Sequence, residues 1–269
     1  MPAQTSQRVP GDFTWTPSPE QLEAANVARL ADTLGCGSYT ELHRVSIDEP
    51  DRFWRAVVDD LGLPLARDWD EVVDTSRGIE WATWFLGARL NVAEACVHRW
   101  AREQPDREAA VWAPEVGDRR TLTWADLSRE VRRLAAALRQ LGVGEGDTVG
   151  TFLPMSPEAA IASHACAHIG AIQVPIFSGF AGPAVSTRLA DARAKVVVTA
   201  DSAYRRGRLV PMKEVLDDAL RDAPSVERVV VWRRAGGACP MAARRDVWWE
   251  DVVADIDDSL DAVDVDSVE

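Results

Sequence analysis

Lysine is nearly absent from this sequence. Lys195 and Lys213 are the only two among thirty cationic residues, so chemistry that needs a lysine has two candidates at most. Cysteine is scarce too, and Cys36, Cys96, Cys166 and Cys239 lie 60, 70 and 73 residues apart, which excludes the CxxC spacing of a zinc site or redox dithiol. No run of eighteen apolar residues occurs, and the start MPAQTSQRVPGDF lacks the basic flank and apolar stretch of a secretory signal. A cytoplasmic chain with no membrane partner is therefore expected. Positive charge is also in deficit: the formal net charge of -13 argues against a nucleic-acid partner, because phosphate neutralisation needs a basic face. Any anionic ligand then requires a local basic patch.

What is present is enough apolar material, 46% of 269 residues, for a sizeable core. Behind Pro10, Pro17 and Pro19 a short helix is expected from about Glu20 to Leu34, with Leu22, Ala25 and Leu30 on one face. Pro50 sits where a helix can begin, and Phe53, Trp54, Val57, Val58 and Leu61 follow at helical spacing. A further helix is expected from Val92 to Ala101. Thr123 with Asp126 resembles a capping box, and Leu127, Val131, Leu134, Leu138 and Leu141 step by 4, 3, 4 and 3 up to a stop at Gly142.

From there DTVGTFLP, AIQVPIF, KVVVTAD and VERVVVWRR read as strands, alternating with the helices PEAAIASHACAHIG, PAVSTRLADA and MKEVLDDALRDA. Short Val/Ile strands separated by helices specify an α/β fold, a parallel sheet with helices on both faces, here preceded by a mainly helical N-terminal segment. The expected divisions are 1–38, 39–91 and 92–269. After Arg245 no cation remains, and Asp and Glu supply nine of the last twenty residues, among them Asp257, Asp258, Asp264 and Glu269. A solvated helix and a flexible acidic stretch are expected there.

Several constellations invite a chemical reading. GVGEGDTVG, 142–150, follows a helix and leads into a strand, the reverse of a phosphate-binding glycine loop, so a helix stop and turn is expected rather than a dinucleotide site. His164 and His168 are four apart on a helix, but nothing obvious completes a metal site, and exposed or locally hydrogen-bonded imidazoles are expected. YRRGRLVP, 204–211, concentrates Arg205, Arg206 and Arg208 on a loop after a strand, with Gly207 leaving room for close approach. Guanidinium groups grip phosphate oxygens, and open α/β sheets bind ligands at the carboxyl ends of their strands. FSGF, 177–180, offers a ring and a glycine to a purine, and equally suits a turn with two core aromatics.

Taken in order, YTELHRVSIDEPDRFW, LNVAEACVHR, LTWADLSREVRRLAAALRQLGVGEGDTVGTFLPMSPEAAIASHACAHIGA, IFSGF, AKVVVTAD, RRGRLVPMKEVLDDAL, SVERVVVWRR and RDVWWEDVV resemble the amino-terminal part of the AMP-forming acetyl-CoA synthetases, within the AMP-dependent synthetase and ligase family. The resemblance covers nearly everything after residue 38. It implies a short-chain acyl-CoA ligase acting on acetate, ATP and coenzyme A, with Mg2+ in the full-length enzyme. It also implies that Arg205, Arg206, Gly207 and Arg208 hold the nucleotide end of coenzyme A, and that Phe177, Ser178 and Gly179 lie against its adenine.

Relatives commonly carry Gly where this chain has Ser178. The family's Ser/Thr/Gly phosphate loop and its catalytic lysine are not among these residues, and Lys213 matches a helix start that the family shares. The resemblance thus implies no catalytic residue and no metal ligand here, inactivity of the isolated chain, and a missing carboxyl-terminal half as its partner. A non-catalytic coenzyme A-binding or partner-binding module is the alternative. A sheet lacking its companion strands is expected to be poorly soluble unless a partner covers it.

Overall fold

A computed structural model describes residues 15–256, 259–263 and 265–266, and these fall into two compact units. Pro10, Asp257, Asp258, Asp264 and Glu269, which entered the expectations above, lie outside the described residues.

The smaller unit comprises residues 15–63 and 69–86. It holds α1 (Pro19–Glu23), α2 (Asn26–Thr33), α3 (Tyr39–Asp48) and α4 (Pro50–Leu61), then an antiparallel pair of β1 (Glu71–Asp74) and β2 (Thr83–Leu86). The single helix expected over 20–34 is two. Ala25 adopts an extended conformation and starts α2 anew. The supposed shared face is not one buried stripe either: Leu22 is exposed, while Leu30 and Ala31 pack on the small core of Leu34, Cys36, Leu42 and Ala56. Pro50 does open α4, and Gly62, in the left-handed region, ends it; Leu61, expected on the packed face, is exposed.

The larger unit comprises residues 64–68, 87–256, 259–263 and 265–266. Its elements are β3 (Arg89–Leu90), α5 (Arg99–Glu103), β4 (Glu108–Trp112), β5 (Arg120–Thr123), α6 (Trp124–Gln140), β6 (Thr148–Phe152), α7 (Pro157–His168), β7 (Ile172–Pro175), α8 (Gly182–Asp191), β8 (Val196–Ala200), β9 (Ala203–Arg205), β10 (Arg208–Val210), α9 (Met212–Ala219), β11 (Arg228–Trp232), β12 (Asp246–Trp248), α10 (Trp249–Val253) and β13 (Val265–Asp266). The capping box at Thr123 and Asp126 is complete in both directions. Leu127, Val131, Leu134 and Leu138 are all buried, so the 4-3 stripe of α6 is the face it gives to the core.

Five parallel strands form the main sheet in the order β12-β11-β8-β6-β7. The chain steps outward from β6 to β7, then crosses back over β6 to β8 and continues to β11 and β12. Parallel crossovers are right-handed, so reversing direction at β6 puts the crossover helices on opposite faces. Accordingly α6 packs on α7 and α8 packs on α9. A single continuous core of Val, Leu, Ile and Ala side chains, including Val149, Val197 and Val230, lies between these layers.

The glycine-rich stretch behaves as a stop and a turn. Gly142 has φ +88°, and the loop is clamped by Asp147, which accepts from the Gly144 N–H at 2.7 Å and pairs with Lys195 at 2.9 Å. The acidic end is not simply solvated. Asn91 donates to the Val263 carbonyl at 2.6 Å, the Val263 N–H donates to the His168 carbonyl at 2.8 Å, and β13 pairs antiparallel with β3. Among the described residues no helix is long and apolar enough to cross a membrane.

Candidate functional site: a cleft at the carboxyl ends of the strands

Loops leaving β6, β7, β8 and β11 converge on one open cleft of about 220 Å³. Pro154 and Met155 come from the first, Phe177 and Ser178 from the second, Ala203 to Arg205 from the third and Arg234 from the fourth, with Trp112, Pro114 and Glu115 closing the side. The cleft lies beside β6, where the strand order reverses, which is the position where open α/β sheets admit ligands.

Residues 204–211, read from the sequence as a loop, are instead mostly a hairpin. β9 and β10 pair antiparallel around Arg206 and Gly207, whose φ values of +51° and +73° make a tight two-residue turn of the mirror-image kind. A Cβ on Gly207 would meet nothing within 4 Å, so its glycine serves the left-handed backbone and not the close approach suggested by the sequence. Gly179 supplies that close approach: a Cβ there would collide with the Arg205 guanidinium and come within 2.6 Å of the Phe177 ring.

The hairpin register sets Arg205 directly opposite Arg208, and cross-strand partners share a face. Like charges in that arrangement repel. Neither residue, nor Arg206 at the tip, has a carboxylate partner among the described residues, whereas Arg29, Arg102, Arg120, Arg129 and Arg245 all do. In a chain of net charge -13, three guanidinium groups within four residues and without carboxylate partners concentrate positive charge that can attract an anion.

Of the residues anticipated from sequence, the cleft brings together Phe177, Ser178 and Arg205, with the Arg205 guanidinium 5.6 Å from the centre of the Phe177 ring. Phe177 is not a core aromatic; 59% of its surface is exposed. Arg206, Gly207 and Arg208 flank the cleft without lining it. Sequence reasoning missed Trp112, Glu115, Tyr204 and Arg234. Arg234 lies over the rings of Trp112 and Tyr204, at 4.8 and 5.3 Å. It is held there by the buried Asp201 carboxylate, which accepts from the N–H groups of Arg234, Ala235 and Gly236 at 2.9, 3.0 and 2.9 Å. An aspartate directly after a buried strand, in KVVVTAD, was the available signal.

Two further polar constructions have different characters. Lys213 is fully buried, and its ammonium bonds Asp217 at 2.7 Å, Asp246 at 2.8 Å and the Pro240 carbonyl at 3.0 Å. All three of its protons are used, so it offers nothing to a ligand. His164 and His168 do not form a pair. His168 is buried and meets His98, seventy residues away, with 2.9 Å between ring nitrogens, so it is neither exposed nor locally bonded as expected. Among the described residues no cluster of three His, Cys, Asp or Glu side chains is placed to hold a metal ion, so the Mg2+ implied by the resemblance finds no fitting ligand set among them.

Comparison with known proteins agrees with this architecture. Residues 39–96 match the family model of the acetyl-coenzyme A synthetase N-terminus. Residues 97–261 match that of the AMP-binding enzymes. An acetyl-coenzyme A synthetase of Deinococcus radiodurans is 40% identical over 233 residues, covering 85% of this chain and 35% of that protein. A 3-hydroxypropionyl-coenzyme A synthetase of Sulfurisphaera tokodaii is 38% identical over 237 residues, covering 87% and 36%. The solved acetoacetyl-CoA synthetase from Streptomyces lividans superimposes with a TM-score of 0.83 at 29% identity, over 94% of this chain and 39% of that one. The chain thus spans about a third of the length of the curated relatives it matches. With the family model spanning the parallel sheet and the strand-end cleft alike, the chain belongs to the AMP-binding enzymes, in the branch that carries an acetyl-coenzyme A synthetase N-terminus.

Proposed function

We propose that this chain supplies the coenzyme A nucleotide grip of an AMP-forming short-chain acyl-CoA ligase that joins acetate to coenzyme A at the expense of ATP. The carrying observation is the hairpin of unneutralised arginines set against the exposed Phe177 ring at the strand ends. In this reading Arg205, Arg206 and Arg208 take the phosphate, the Gly207 turn fixes their spacing, and Phe177 stacks on the adenine beside Ser178 and Gly179. Trp112, Tyr204 and Arg234 form the opposite wall.

Coenzyme A carries its reactive thiol at the other end of a long molecule. Contacts at the nucleotide end therefore act by anchoring and orienting the cosubstrate for attack on an acyl-adenylate, using binding energy remote from the reacting atoms. Adenylation requires groups that stabilise charge developing on the ATP phosphates, and magnesium supplies part of that when bound. The present residues include no Ser/Thr/Gly phosphate loop and no lysine free for this role, since Lys213 is buried in ion pairs and Lys195 is tied to Asp147.

The chain alone is therefore expected to bind coenzyme A and to show no acetate-dependent ATP-pyrophosphate exchange. Matched relatives bearing the names of different acyl groups share this segment, which fits a part that handles the common cosubstrate and leaves the choice of acid elsewhere. Titration calorimetry with coenzyme A tests the reading. Arg205→Ala and Arg206→Ala each remove a charge-assisted contact worth roughly 1.5–3 kcal/mol, or about ten- to a hundredfold in affinity. Exchange activity in the 269-residue chain, or variants that bind as tightly as the parent, would overturn it. The continuous core of the larger unit also leaves room for a second reading, in which the chain acts as a coenzyme A-binding or partner-binding module without catalysis.

A further inference from the structure

We propose that Glu115 is a built-in competitor for the phosphate seat on the β9–β10 hairpin, so that a ligand phosphate must displace this carboxylate before the seat is filled. The inference rests on the reading of the hairpin as a coenzyme A grip and adds a component that the grip itself does not require. Three observations carry it. The Gly207 N–H, at the tip of the turn and between Arg206 and Arg208, donates to the Glu115 carboxylate. That carboxylate is the acidic side chain lining the cleft. No ion pair joins Glu115 to any of the three arginines, so it takes the turn's backbone donor without neutralising the guanidinium groups.

Its position is not accidental to a loose loop. The segment bearing Glu115 is pinned on both sides, by the Trp112 indole donating to the Met155 carbonyl at 2.9 Å and by Arg234 donating to the Val116 carbonyl. Glu115 is thereby delivered to the turn from a strand connection about ninety residues distant in sequence. A carboxylate bears one negative charge and a phosphate monoester nearly two, so the monoester outcompetes it for a donor surrounded by three cations. A group with a single charge, such as either phosphate of a diphosphate diester, gains far less from displacing it. Glu115 then has two effects: it covers the exposed donor when no ligand is bound, and it lowers the affinity of a ligand whose terminal phosphate monoester must displace it.

The test compares coenzyme A with 3′-dephospho-coenzyme A, which lacks the monoester, on the 269-residue chain and on Glu115→Gln. The substitution keeps size and removes charge on an exposed side chain, so the fold is retained. Coenzyme A should bind Glu115→Gln roughly three- to tenfold more tightly than the parent, the scale of one hydrogen bond exchanged, with 3′-dephospho-coenzyme A unchanged. Equal or weaker coenzyme A binding by the variant would show Glu115 to be a staple for the hairpin and overturn the proposal. Equal tightening of both ligands would also overturn it, since a general change of field needs no competition at Gly207. Failure of coenzyme A to bind either protein would remove the grip itself and the inference with it.

Discussion

Replacing Lys213 with methionine should destabilise the protein by roughly 3–5 kcal/mol, the usual cost of stranding one partner of a buried ion pair. The stranded group is Asp246, whose side chain is completely shielded from solvent. Burial alone would raise the Asp246 carboxyl; the bonds from Arg245, Lys213 and the Ala242 N–H override that effect and hold its pKa below the ordinary carboxylate value. Arg245 remains after the substitution, at 2.6 Å, so the loss falls at the lower end of that range.

The same network ties α9 to the segment that leads into β12, and the Lys213 N–H reaches the Asp201 carbonyl at 3.2 Å, just ahead of the hairpin. Lys213 thus fixes the base of the arginine hairpin, although it touches no ligand. Urea unfolding of Lys213→Met checks the expectation. Adding Asp246→Asn should recover part of the loss, because the uncompensated charge is then gone. A single variant within about 1 kcal/mol of the parent would mean that the pairing is dispensable.

A second large effect is expected on mild acidification. His168 can only donate from Nε2 to the Leu260 carbonyl, at 3.0 Å, which leaves Nδ1 to accept from His98 Nε2 at 2.9 Å. His98 Nδ1 must then accept from the Ser128 hydroxyl at 2.8 Å. Each ring carries one proton: a second on His168 Nδ1 would face the His98 Nε2–H, and a second on His98 Nδ1 would force the Ser128 hydroxyl to turn from donor to acceptor. Burial, then the facing His168, with Arg132 and Arg102 adding to it against Glu94, pushes His98 down to about 3. Burial and Arg132 lower His168 as well, opposed by the Leu260 carbonyl, Glu94 and Asp261.

The unfolded imidazoles bind protons near pH 6.5 and the folded ones do not, so stability is fully present above about pH 6.5 and falls as the pH drops below it. His98, held at about 3, contributes roughly 2 kcal/mol of loss by pH 5, at a slope of about 1.4 kcal/mol per pH unit, and His168 acts in the same direction. Carboxylates with ordinary values near 4 titrate mostly lower. His164, also lowered by burial, acts in the same direction. Denaturation at pH 7, 6 and 5 measures this; a flat profile would contradict the neutral hydrogen-bonded chain.

These features differ in how far they were legible in the sequence. The α6 stripe and its capping box are local patterns, in which residues three or four apart do all the work, and both are found as read. The parallel sheet was legible for the same reason, because alternating Val-rich strands and helices leave few topologies open. The hairpin was not. A two-residue turn of this kind usually announces itself with Asn or Gly at the first position, and here Arg206 occupies it. The far wall of the cleft comes from Trp112, Glu115 and Arg234, which periodicity cannot bring to Phe177 and Arg205. Likewise, His168 was read together with His164 against a metal pattern, whereas its partner is His98, seventy residues away. The acidic end looked solvated because its charges dominate, yet Leu260, Val263 and the backbone around them are what dock.

The central claim is one of location: the nucleotide end of coenzyme A is bound where the β9–β10 hairpin meets Phe177. Amide hydrogen exchange of the chain with and without adenosine 3′,5′-bisphosphate measures location directly. Protection should rise in residues 203–210 and 177–180, and in the Glu115 segment should stay level or fall as its carboxylate is displaced. Protection that leaves residues 203–210 unchanged while appearing in another segment, such as 142–150, would contradict the account.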